Sequence, residues 1–208
     1  MMTAPTSLKD LERKIFRAST QDGIIDIHIG CLLLMFSIAP LLSETMGDFW
    51  SSAVFLPFWG LVYLGLRALR KNHLQPRIGQ IEFGAYRVKR LKHLNLVILV
   101  FNLAALGLGL LAFIGILNLP GWLPLSILLL IGFSLGGYMI ENPRFYLYGV
   151  FSALTPFVGE YLYQNHGFSH HGWPVVFGVL AGGIILWGLF LMLRVIQTYP
   201  LTDQAGLE

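Results

Sequence analysis

Long apolar runs, separated by short polar connections, dominate the pattern along the chain. They fall at about 24–42, 50–69, 94–119, 122–140, 145–163 and 174–196. Each has roughly the 20 mostly apolar residues that a helix needs to cross a hydrocarbon core of about 30 Å. The expected fold is therefore all-α: a single membrane domain over residues 1–208, with six spans arranged as three helical hairpins. Two segments break the pattern. Residues 7–18 read as a short amphipathic helix, with Ser7 as cap, Leu8, Leu11 and Ile15 on one face and Lys9, Arg13, Lys14 and Arg17 around them. A helix on the membrane surface and a frayed terminal helix compete there. Residues 78–91 interleave Ile78, Ile81, Phe83, Val88 and Leu91 with polar positions around Gly84-Ala85-Tyr86, so a small β-hairpin competes with an irregular loop.

Charge orients this arrangement. The connection 43–49 carries Glu44 and Asp48 and no basic residue, whereas the loop 70–93 is strongly basic. Basic residues favour the cytoplasmic side of a membrane. With both termini cytoplasmic, all 14 Lys and Arg residues fall on the inner side, and one misplaced span would break that pattern. Trp50, Trp122 and Trp173 then open the returning spans at the outer interface, which amphipathic rings favour. The expected location is the cytoplasmic (cell) membrane. The net charge of +3 lies at span ends and in one loop, so no nucleic-acid partner is expected. The composition agrees: 12% of residues are charged, against roughly 25% in soluble domains. No small-residue cleavage pattern follows the first apolar run, which is expected to be retained. A single cysteine, Cys31, excludes an internal disulfide.

Candidate chemistry is sparse. The richest cluster is Glu160 with His166, His170 and His171 in the following loop. Imidazole and carboxylate are zinc ligands, and four such groups are enough for a site. Their spacing matches no strong metalloenzyme motif, and a solvated polar loop is the competing reading. Zinc is the one cofactor this set would suit, and no residue is assigned as catalytic. Arg87, Lys89, Arg90 and Lys92 are candidates for anionic lipid headgroups. Gly132 and Gly136, and Gly178 and Gly182, have the small-xxx-small spacing of close-packed membrane helices. They would serve packing within the chain, a homo-oligomer or a membrane partner protein.

Asp22 and Asp26 open the first span as cap and ion-pair residues; a polar site with His28 is the alternative, although His28 points to another face. Pro156 frees the carbonyl of Ser152 and kinks the fifth span, and nearby hydroxyls can satisfy the freed group. No phosphate-binding glycine loop is present, and no Asp, Glu, Lys or Arg lies near the middle of a span. Three functions follow: a non-enzymatic accessory, scaffolding or lipid-binding component; a metal-dependent membrane enzyme using the outer His/Glu cluster; or a transporter or channel subunit for a neutral or apolar solute.

Overall fold

A computed structural model of the chain describes residues 21–78, 85–115 and 119–199. Every regular element among them is helical: α1 (Ile24–Ala53), α2 (Phe55–Leu69), a π turn (Arg70–Leu74), α3 (Gln75–Ile78), α4 (Ala85–Phe113), α5 (Trp122–Ile140), α6 (Arg144–His166), a 3₁₀ turn (His170–Gly172) and α7 (Trp173–Thr198).

Local sequence explains the helix ends. Asp22 accepts the Ile24 amide at 3.1 Å, and Gly23 takes φ 84° ahead of α1. Glu141 stops α5 in the left-handed region at φ 58°. Asn142 then caps the next helix, its side-chain oxygen accepting the Arg144 amide at 3.2 Å. Pro174 sits in the first turn of α7, where its missing N–H costs nothing.

Among the described residues, four segments are long and apolar enough to cross a membrane: Ile24–Gly47, Phe49–Arg77, Trp122–Ile140 and His170–Thr198. The other two expected spans fall short of that measure. In α4, which runs to Phe113, the described apolar stretch is Asn95–Leu108. Helix α6 has 23 residues, enough length, but Tyr146, Tyr148, Glu160, Tyr161, Tyr163 and Gln164 dilute its apolar character.

Two local expectations need correcting. Residues 43–49 are not a loop: the helix runs on and is interrupted only at Gly47, with φ 78° and ψ 162°. Neither the β-hairpin nor the irregular loop weighed for 78–91 holds from residue 85 onward, where α4 has begun. Arg87, Lys89, Arg90 and Leu91 are good helix formers, and they extend the apolar helix that follows. Residues 79–84, and the amphipathic segment 7–18, lie outside the described residues.

The most extensive packing among the described helices joins the first and last of them, α1 and α7, which run antiparallel. A Cβ on Gly30 would lie 2.4 Å from Ile185, and one on Gly188 would lie 2.8 Å from the carbonyl oxygen of Gly23. Such an approach needs small residues. Helix α5 pairs with α6, and α6 also lies against α7. Leu33, Leu129, Phe145, Tyr148, Phe177 and Ala181 fill the space between these helices. Helix α2 leans on α1, and α4 makes a lighter contact with α5.

Candidate functional site

Polar groups gather at the two ends of the bundle. At the end holding the start of α1, Asp26 is fully buried one turn into the helix. Its Oδ1 accepts the Tyr148 hydroxyl at 2.6 Å, and its Oδ2 lies 3.3 Å from Arg144 Nη1. Both partners belong to the first turns of α6, four residues apart and hence on one face. Asp22 pairs with Arg70 Nη2 at 3.4 Å across to the π turn. Burial pushes the Asp22 carboxyl above its ordinary range, and Arg70 and the Ile24 amide oppose that shift.

Arg77 closes the same end. Its Nη1 donates to the carbonyls of Ile196 (3.1 Å) and Tyr199 (3.0 Å), at the C-terminus of α7. A cation is favoured at that end of a helix dipole. His28 does not join this cluster: its ring packs edge-on against Trp59, with centroids 4.5 Å apart.

At the opposite end, His171 Nδ1 lies 2.8 Å from Glu160 Oε2, and Glu160 Oε1 accepts Gln164 Nε2 at 2.8 Å. His170 reaches a different helix, its Nε2 lying 3.0 Å from Glu44 Oε1 on α1. His166 turns aside against Tyr161. The four residues of the candidate metal set therefore divide between separate contacts. Among the described residues no three His, Cys, Asp or Glu side chains stand close enough to hold a metal ion. His170, His171 and Gly172 are consecutive left-handed residues, with φ of 50°, 54° and 63°. Non-glycine residues hold that conformation only when their surroundings enforce it. Here the turn lies directly on α6: a Cβ on Gly159 would come within 2.6 Å of the His171 carbonyl oxygen.

Between the two ends the interior is apolar apart from hydroxyls. Thr155 donates to the Ser152 carbonyl at 2.6 Å, which compensates for the N–H that Pro156 lacks. Ser37 donates to the Pro174 carbonyl at 2.6 Å, tying α1 to the start of α7. A cavity of about 420 Å³ opens beside this tie. Leu32, Phe36 and Pro40 of α1, Phe55 and Trp59 of α2, and Trp173 form its wall.

The glycine pairs are placed unequally. A Cβ on Gly132 would meet Phe101 at 3.1 Å, one on Gly136 would meet Phe145 at 3.1 Å, and one on Gly178 would meet Ser37 at 3.0 Å. Gly182 has nothing within 4 Å. Arg87, Lys89, Arg90 and Lys92 fall in the first turns of α4.

Sequence reasoning named the two aspartates as ion-pair residues with the basic loop that holds Arg70 in reach, and missed Arg144 and Tyr148 as the partners of Asp26, as well as Glu44 and Arg77. The one available signal was the spacing of Arg144 and Tyr148, which places a cation and a hydroxyl on a single helix face. No known protein family, curated protein or solved structure matches the chain.

Proposed function

We propose that the chain is a six-span membrane protein with both termini cytoplasmic, acting without catalysis as an accessory, scaffolding or lipid-binding component. One observation carries this reading. Polar groups turn inward and apolar groups outward: Asp26 is 0% exposed, whereas Leu61, Val179 and Leu186 are 71%, 72% and 68% exposed. In water that arrangement would be costly, and large exposed apolar faces mark membrane or partner surfaces. In lipid it is the favourable one, since buried polar groups pair with each other and the hydrocarbon meets only apolar side chains. The distribution of all 14 Lys and Arg residues supports the orientation. In this orientation the Asp26 end faces the cytoplasm and the histidine end faces outward.

The lipid-binding part of the proposal rests on the basic turns that open α4. Each Lys or Arg near an anionic surface contributes on the order of 1 kcal/mol, screened by salt. Anionic phospholipid is expected to co-purify with the wild type. Changing Arg87, Lys89, Arg90 and Lys92 together to Gln should deplete it, as read by lipid mass spectrometry. Equal anionic lipid in both preparations would remove this role from the segment.

A further inference from the structure

The cavity beside α1 has the dimensions and setting of a lipid-chain site. Its volume of about 420 Å³ lies within the range of roughly 300–1,000 Å³ typical of small-molecule sites. Its wall on α1 runs from Leu32 to Pro40, which at 1.5 Å per residue is about 12 Å. That is a little less than one leaflet of a core about 30 Å thick. All six wall residues named above are apolar or aromatic, so the chemistry suits a hydrocarbon chain.

The groups beyond the cavity select the headgroup. Glu44 lies one turn past Pro40, at the i+4 position on the same face of α1. It is 68% exposed, and of its two carboxylate oxygens only Oε1 meets His170 among the described residues. His170 in turn stands three residues before Trp173, which lines the cavity. An exposed carboxylate at this mouth attracts an ammonium and repels a phosphate that has no counter-charge. We propose that this cavity takes one acyl chain of an amine-bearing zwitterionic phospholipid from the outer leaflet, with its ammonium beside Glu44. The proposal rests on the six-span orientation above and adds the ligand class of a second lipid site, distinct from the basic turns of α4.

The test uses the full-length protein in vesicles containing phosphatidylethanolamine with a photoactivatable diazirine in its acyl chain, with labelled peptides mapped by mass spectrometry. Labelling is expected to concentrate on residues 32–40 and 55–59. Ala39 of α1 also lines the cavity, so Ala39→Phe, which fills it from that side, should cut the labelling by about tenfold, equivalent to 1.4 kcal/mol. A phosphatidylglycerol probe with the same chain should label these segments less. Glu44→Gln, an exposed change that leaves the core intact, should abolish the difference between the two probes. Cavity labelling that Ala39→Phe leaves unchanged, or equal labelling by the two probes in the wild type, would overturn the proposal. In either case, labelling of the exposed apolar face of α4 at Leu96, Leu99 and Leu103 would leave the membrane reading standing. Absence of labelling everywhere would defeat that reading as well.

Discussion

Asp26→Ala is expected to destabilise the protein by about 3–5 kcal/mol, the cost of removing one partner from a buried ion pair. The carboxylate satisfies two groups at once, the Arg144 guanidinium and the Tyr148 hydroxyl. Its loss leaves the Tyr148 hydroxyl and the partly exposed Arg144 guanidinium without their acceptor. For a chain of this length each kcal/mol shifts Tm by about 2–4 °C, so thermal unfolding in detergent should fall by about 6–20 °C. Asp26→Asn should cost less, because the amide oxygen still accepts from Tyr148. The double change Asp26→Leu with Arg144→Leu should recover much of the loss, since removing both charges also removes their desolvation. An Asp26→Ala protein that melts with the wild type would mean that this carboxylate is not sequestered in the bundle.

Gly188→Ala and Gly182→Ala, six residues apart on α7, are expected to act with opposite sign. A methyl at position 188 would stand 2.8 Å from the Gly23 carbonyl oxygen, the Ile27 amide nitrogen and Ile27 Cγ1. Backbone cannot yield as a side chain does, so α1 and α7 must move apart along their seam. Overpacking of this kind costs about 1–3 kcal/mol. Position 182 has open space to 4 Å, so alanine there meets nothing and gains helix propensity of up to about 1 kcal/mol over glycine. Paired melting curves against the wild type read both effects. Equal destabilisation by the two changes would place the seam on the wrong face of α7.

Small-residue spacing locates a helix that can pack closely, but it does not give the rotational phase. The seam on α7 runs through Ala181, Ile185 and Gly188 rather than through Gly178 and Gly182 together. Helices were legible because apolar runs of this length have few alternatives. Contacts bounded by short chain distance were legible too. Only nine residues separate Glu160 from His170, so a histidine near Glu160 was expected, and His171 supplies it. The hydroxyl on the Ser152 carbonyl follows from Pro156 within a single turn.

What the pattern did not reveal was the polar pairing between helices far apart in the chain. Arg144 lies 118 residues from Asp26, and no periodicity says that the fifth apolar run meets the first. Short connections pointed to sequential hairpins, and α1 with α2, α4 with α5 and α6 with α7 do touch, but the most extensive packing among the described helices joins α1 and α7. Glu44 was read as a topology signal and proved to be the partner of His170. The start of α4 was misread because alternation through Ile81 and Phe83 mimics a strand, and the helix-forming residues after Ala85 carry no apolar stripe of their own.

The measurement that bears most directly on the account is the side of the membrane to which each end of the bundle belongs. Single cysteines at Ser43, Asn118 and Ser169, in a chain whose Cys31 has been replaced, are expected to react in intact cells with a membrane-impermeant maleimide. A cysteine at Gln80 is expected to react only after the cells are permeabilised. That outcome would place the histidine end outside and the basic segment inside, with α6 crossing between them. Labelling of the Gln80 cysteine from outside, or protection of the Ser169 cysteine until permeabilisation, would contradict it.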